Sequence, residues 1–201
     1  MPIDARGNLI PDFGDPRPVT GATTGDGGAP AASAGPRKMV FICSKGNLDM
    51  AYPALIMGNA ALGEGVEVEY FFTFWGLDII DVRTMDDLKF SFGGNTAMHM
   101  PQLERFKGGL GTMSMPQTLA MMPGMTTAST AMMKKMMADL DIPTVPEMLD
   151  HLVAMGAQMW ACQLSVEMMQ IKKANLHPGV GAVISAADFI EKSAGAQIVF
   201  V

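Results

Sequence analysis

Two cysteines are the residues of this sequence best suited to covalent chemistry. Among its 201 residues the chain has only Cys43 and Cys162, with no Cys-x-x-Cys pair and no spacing typical of a zinc site or a disulfide framework. Cys162 follows a short apolar run, and a predicted helix begins directly after it. Unpaired N–H groups at a helix start favour the thiolate over the thiol, and a thiolate can attack sulfur or peroxide. A buried structural cysteine is the alternative interpretation.

Four further residues could line a pocket around a reactive thiol. Asn47 and Asp49 lie at the start of the first predicted helix, although helix capping alone explains both. Trp75 follows the second predicted strand and could shield the thiol from water, or simply belong to the core. Gln163 begins the helix after Cys162, where its backbone N–H would face the sulfur. The three histidines are too scattered to identify a base, and we predict no metal ligand among these residues.

Strands and helices alternate along the chain and would position these residues. Apolar or β-branched runs predict strands at 39–44, 66–72, 158–161 and 197–201, and helical spacing or capping patterns predict helices at 48–63, 128–140 and 145–154 and from 163 and 186 onward. In the helix after Cys162, Leu164, Met168 and Ile171 are spaced to bury one face. This alternation is typical of a three-layer α/β/α protein with a mainly parallel sheet of four or five strands. Reactive groups in such sheets gather beyond the carboxyl ends of the strands, which is where Cys162 is expected.

The chain divides into a tail and one domain that carries an insertion. Residues 1–37 are dense in Gly, Pro and Ala and show no periodicity, so we interpret them as a tail, and residues 38–201 as the domain. Between about 93 and 137 a methionine-rich insertion interrupts the alternation and holds many of the 21 methionines. Flexible Met side chains suit a subunit interface, a partner-docking surface or a lid over Cys162. A copper(I) site at Met98-His99-Met100 and around Met121 is a more specific alternative, because methionine sulfurs are soft ligands.

Composition excludes several classes of function. The formal net charge of -6 provides no broad basic face for nucleic acid. No run approaches the roughly 20 apolar residues that a transmembrane helix needs. The N-terminus carries acidic residues and prolines where a secretory signal would have a basic start, so a cytoplasmic location is expected. A P-loop and a GxGxxG motif after a strand are both absent from the sequence, and we expect no cofactor.

Several segments resemble a known family, the DsrE/DsrF/DsrH-like proteins, in the DsrE-like branch often labelled sulfurtransferase or peroxiredoxin-like. The strings FFTFWGL, at 71–77, and ACQLSVEMM, at 161–169, are the most specific, and their order along the chain also agrees. The resemblance covers most of the chain after Lys38, in segments 41–80, 121–137, 143–172 and 176–201.

The resemblance implies a homo-oligomer in which Cys162 carries sulfur as a persulfide between partner proteins, such as a sulfur carrier protein or a rhodanese-like donor. Cys43 stands where many relatives are expected to have Ser, so it is a possible second thiol. If the first and third strands are neighbours, both cysteines lie near one sheet edge. Two alternatives remain: a non-catalytic oligomeric interaction protein with a structural cysteine, and a thiol peroxidase-like protein, which no T-x-x-C arrangement near Cys162 supports.

Overall fold

The computed structural model describes residues 37–95, 99, 107–109 and 111–201. Apart from Arg37, the predicted tail lies outside the described residues, so the boundaries of the tail and of the domain stay predictions. Met98 and Met100 of the methionine-rich insertion also lie outside them.

Within the described residues, five parallel strands form one sheet in the order β4-β3-β2-β1-β5. Helices cover both faces, which confirms the three-layer α/β fold. The strands are β1 (Lys38–Cys43), β2 (Glu67–Phe72), β3 (Gln158–Cys162), β4 (Val180–Ile184) and β5 (Gln197–Phe200), and the helices are α1 (Leu48–Gly63), α2 (Met125–Ala138), α3 (Val145–Ala154), α4 (Gln163–Met168) and α5 (Ala186–Lys192).

The strand that the sequence pattern did not predict is β4. Pro178, Gly179 and Gly181 interrupt the β-type pattern there, and most of the strand is at least partly exposed because it lies at the edge of the sheet. Its last residue, Ile184, pairs in register with Cys162. This edge strand therefore forms one wall of the region around the thiol.

Alternation along the strands separates two apolar clusters. On one face, α1 and α3 pack on the larger cluster, which includes Phe41, Tyr70 and Leu149. The opposite face carries a smaller cluster around α5, made of Val40, Phe71, Cys162, Ile184 and Phe189. Successive strand residues point to opposite faces, so the two cysteines belong to different clusters.

A buried polar group fixes α5 over the sheet beside the smaller cluster. Glu69 is almost fully buried, with Lys38 Nζ 2.8 Å from its carboxylate and Trp160 Nε1 donating to it at 3.0 Å. Lys38 also donates to the carbonyl of Lys192 at 2.8 Å, and Lys192 Nζ lies 4.3 Å from the centre of the Trp160 ring. The negative charge of Glu69 is therefore paired with the positive charge of Lys38, which makes the burial of the carboxylate tolerable. The contacts of Lys38 and Trp160 with Lys192 also tie the end of α5 to β1 and β3.

Local capping chemistry sets the starts of the helices. The T-x-x-E pattern at Thr144 and Glu147 forms the predicted capping box of α3, and Ser185 and Asp188 form another at α5. Asn47 is the N-cap of α1 by backbone position, but its side chain makes no capping hydrogen bond. Capping by the Asn47 side chain, as the sequence suggested, is therefore wrong.

Candidate functional site

Cys162 lies at the carboxyl end of β3 and is the residue that immediately precedes α4. Only 7% of its surface is exposed, and its side chain belongs to the smaller cluster between the sheet and α5. Thr73 and Phe74, at the carboxyl end of the neighbouring strand β2, reach the same place. The thiol is thus positioned by two adjacent strand ends, as expected for an α/β sheet.

Two buried hydroxyl groups accompany the sulfur. Ser165, three residues after Cys162, is 1% exposed, and Thr73 is 9% exposed. Their oxygens are 3.1 Å apart, and the backbone N–H of Phe74 donates to Ser165 Oγ at 3.0 Å. These contacts connect α4 to the residues that follow β2, across more than ninety positions of sequence.

Burial raises the pKa of the Cys162 thiol, but hydrogen bonds oppose and outweigh this effect. The opposing groups are the Ser165 hydroxyl and backbone N–H, the Thr73 hydroxyl and the Leu164 N–H, and they hold the pKa below its ordinary value of 9.0. Because the two hydroxyls also bond to each other, only one of them donates to the sulfur at a time. Because α4 is only six residues long, these nearby donors, rather than a long helix dipole, favour the thiolate.

Phe74 adopts a backbone conformation that L-residues rarely use. Its φ is 46°, in the left-handed region, although its side chain is bulky. This conformation accompanies the hydrogen bond from its N–H to Ser165 Oγ. A costly backbone geometry held by its surroundings next to a reactive group is typical of functional sites.

Cys43 differs from Cys162 in burial, face and neighbours. It is 1% exposed, and burial raises the pKa of its thiol to about 12. The expectation that β1 and β3 are neighbours is wrong, because β2 lies between them and pairs with both. Cys43 pairs in register with Phe72, and both side chains belong to the larger cluster, on the opposite face of the sheet from Cys162. The two thiols therefore do not form one site.

The helix after Cys162 differs from its predicted form. Ile171 is buried as expected, but it lies beyond the end of α4, and Leu164 and Met168 are exposed. Ser165 and Val166 face inward instead. The chain leaves the helix early because Gln170, with a φ of 54°, turns it in the left-handed region. One of the two inward positions thus goes to a hydroxyl group and the other to an apolar side chain.

The four predicted pocket residues do not gather around the sulfur. Asn47 and the largely exposed Trp75 line a separate pocket of about 310 Å³, which Cys162 does not line. Asp49 accepts a hydrogen bond from the backbone N–H of Ser91 at 2.9 Å, so it holds a loop. Gln163 directly follows Cys162, but the backbone N–H groups that lower the pKa of the thiol are those of Ser165 and Leu164, and the Gln163 side chain donates to Glu167 at 2.8 Å.

The residues that the pattern missed are Thr73 and Ser165. The available signal was that Ser165 lies one helical turn after a cysteine at the start of a helix. No sequence spacing reveals that Thr73 lies within hydrogen-bonding distance of it.

The methionine-rich insertion is partly core and partly surface. Met133 and Met137 of α2 pack against the larger cluster, whereas Met113, Met121 and Met122 are exposed. An interface, a docking surface and a lid all remain predictions for the exposed part. The copper(I) hypothesis also stays a hypothesis, since Met98 and Met100 lie outside the described residues.

Residues 36–201 match the model of the DsrE/DsrF/DrsH-like family. The chain belongs to this family. It is 32% identical over 154 residues to the sulfur carrier protein DsrE2 of Allochromatium vinosum, covering 76% of this chain and 91% of that protein. It is also 23% identical over 157 residues to the uncharacterized protein YrkE of Bacillus subtilis, covering 76% of this chain and 92% of that protein.

Two solved structures are similar to this member of the DsrE/DsrF/DrsH-like family at 10% sequence identity. One is a protein of unknown function, MTH1491 from Methanobacterium thermoautotrophicum, with a TM-score of 0.48, covering 82% of this chain and 99% of that chain. The other is the ychN protein from E. coli, with a TM-score of 0.46 and the same coverage.

A membrane-spanning helix is not found in the described part of this family member. None of the helices there combines the length and the apolar composition that crossing a bilayer requires.

Proposed function

We propose that this chain is a sulfur-relay protein that carries sulfane sulfur as a persulfide on Cys162 and passes it to a partner protein. The observation that supports this most strongly is the set of hydrogen-bond donors that lowers the pKa of a nearly buried Cys162 thiol. A structural cysteine in a core needs no such donors. The similarity to a protein named as a sulfur carrier supports the same role.

The proposed loading step is a displacement at sulfur. The Cys162 thiolate attacks the outer sulfur of a persulfide donor, a bond forms between the two sulfurs, and the bond within the donor breaks. Its electron pair leaves with the donor as a thiolate. Delivery is the same type of displacement. The acceptor's thiolate attacks the outer sulfur of the persulfide, the bond from that sulfur to Cys162 breaks, and Cys162 is released as the thiolate. No net oxidation occurs in either step.

The partners we propose are a rhodanese-like donor and a sulfur carrier protein that accepts. Phe74 and Leu164, whose backbones adjoin the thiol site, each expose half or more of their surface. Exposed apolar side chains beside a nearly buried sulfur suit contact with another protein better than reaction with a free small molecule. A reducing compartment such as the cytoplasm would keep this thiol free.

Intact-mass measurement after incubation with a sulfane-sulfur donor tests the proposal. Wild type is expected to gain the mass of one sulfur atom, and Cys162→Ser is expected to gain none. Cys43→Ser, which removes the other thiol, is the matched control and should load like wild type. Equal loading of Cys162→Ser and wild type would reject Cys162 as the sulfur-carrying residue, and loss of loading in Cys43→Ser would move the role to Cys43.

We further propose that the protein is a homo-oligomer that buries part of the methionine-rich insertion. Met121 is 85% exposed, and Met122 beside it is also exposed, which is costly for adjacent apolar side chains. Light scattering at micromolar concentration should show an oligomer, and replacing both residues with Glu should shift it toward smaller species. Met57→Glu, at an exposed methionine of α1, is the control. A wild-type monomer would contradict this expectation.

A further inference from the structure

The hydroxyl groups of Thr73 and Ser165 carry two hydrogens, and the hydrogen bond between them uses only one. Each hydroxyl carries one hydrogen and two lone pairs. The 3.1 Å contact between Thr73 Oγ1 and Ser165 Oγ uses one of the two hydrogens, whichever residue donates. The second hydrogen needs an acceptor, because both groups are buried away from water.

The backbone of Phe74 restricts where that second hydrogen can go. Its N–H donates to Ser165 Oγ and occupies one of the two lone pairs there. If Thr73 also donates to Ser165, both lone pairs of Ser165 are filled and its own hydrogen must point elsewhere. If Ser165 donates to Thr73, the hydrogen of Thr73 is the one left over. In the described part of the chain neither hydroxyl bonds to a further oxygen, and Ser165 lies in the first turn of the helix whose N-cap residue is Cys162. The sulfur of Cys162, whose pKa both hydroxyls lower, is therefore the acceptor left for that hydrogen.

We propose that Thr73 and Ser165 act as one positioning unit that always supplies a single hydroxyl hydrogen to the sulfur of Cys162, with the Phe74 N–H biasing the unit toward donation. Either residue can deliver the hydrogen. The unit therefore favours sulfur that carries negative charge over a neutral thiol, since the charged form accepts a hydrogen bond more strongly.

The consequence for sulfur transfer rests on the proposed function. When the acceptor's thiolate attacks the outer sulfur, the bond to Cys162 Sγ breaks and its electron pair moves onto Sγ. The donated hydrogen bond stabilises this leaving thiolate without transferring its proton. Thr73 and Ser165 would thus accelerate delivery as well as set the reactivity of the free thiol.

Titration of Cys162 by alkylation in a double-mutant cycle tests the inference. Thr73→Val and Ser165→Ala each leave one hydroxyl hydrogen for the sulfur, so each should raise the midpoint of the pH profile by less than about half a pKa unit. The double variant leaves none and should raise the midpoint by about one unit or more, a tenfold change in the ionisation equilibrium. A double shift larger than the sum of the single shifts supports the unit. Additive shifts, or no shift in the double variant, would overturn it.

Controls separate this effect from a loss of packing. Thr73→Ser keeps the hydroxyl and should restore the wild-type midpoint, and Ser129→Ala removes another buried serine, on α2, and should leave the midpoint unchanged. If the double variant does not fold, Phe74→Gly is added both to it and to the otherwise wild-type protein, which then serves as the reference. Glycine tolerates the left-handed conformation, and this relief of strain compensates for the cost of leaving the backbone N–H at position 74 without an acceptor. A midpoint in that background equal to its reference would likewise overturn the inference.

The titration uses no sulfur donor, so it is independent of the relay. A cooperative pKa shift in a protein that never loads sulfur would reject the proposed function and keep the hydroxyl unit. Loading of sulfur on Cys162 together with additive pKa shifts would support the proposed function and reject the hydroxyl unit.

Discussion

Iodoacetamide is expected to label Cys162 in the folded protein and to leave Cys43 unlabelled. The alkylation profile of Cys162 should have its midpoint below 9.0, because hydrogen bonds hold its pKa down. Burial raises the pKa of Cys43 to about 12, so it is almost entirely protonated at neutral pH and lies in the core. At pH 8 we expect the two rates to differ by at least about 100-fold.

Single-cysteine variants make this comparison clean. Cys43→Ser should retain the labelling of wild type, Cys162→Ser should show almost none, and both should label fully in denaturant. A midpoint above 9 for Cys162, or no reaction without denaturant, would make it a structural residue. That result would favour the alternative of an oligomeric interaction protein.

Gly76→Ala is expected to be one of the most destabilising single-methyl additions in the domain. A Cβ at Gly76 would overlap the carbonyl oxygen of Cys43, which is backbone and has little freedom to move. The turn after β2 packs directly on the end of β1 there, and Thr73 donates its N–H to the same carbonyl at 3.0 Å. We expect a loss of about 3 kcal/mol or more in the free energy of unfolding.

Urea denaturation measures this loss, and Gly63→Ala provides the matched control. A Cβ at Gly63, at the end of α1, meets nothing within 4 Å, so the same chemical change should be neutral or slightly stabilising there. Because Gly76 closes the turn that holds Thr73, its replacement should also raise the alkylation midpoint of Cys162. Unfolding of Gly76→Ala at the wild-type urea midpoint would show that this packing is not as tight as the structure indicates.

Local patterns were enough to predict most of the fold. Spacing in the sequence predicts the capping box of Thr144 and Glu147 and the strand before Cys162, because each feature depends on residues that are close together in the chain. The strand β4 escaped prediction because it is short, exposed and interrupted by glycine. The strand order also escaped it, since β2 separates β1 from β3 through long-range pairing alone.

The candidate site was predictable only at its centre. Cys162 follows from a strand that ends where a helix begins, but the partners of its sulfur depend on the contact between Thr73 and Ser165 across the β2–β3 boundary. Asp49 and Gln163 were predicted to line the pocket from their positions at helix starts, yet the side chain of each bonds to a polar group elsewhere. Helical position fixes where a Cα lies, whereas a polar side chain turns to its best available partner.

Following a labelled sulfur atom through the protein tests the central claim most directly. The wild-type protein is loaded from a donor that carries heavy sulfur, freed of donor, mapped by peptide mass spectrometry and then mixed with an acceptor protein that has a reactive thiol. We predict that the label is found on the peptide that contains Cys162 and then passes to the acceptor, and that Cys162→Ser acquires and delivers none. A label found on Cys43, or one that stays on Cys162 when a competent acceptor is present, would contradict the proposed relay.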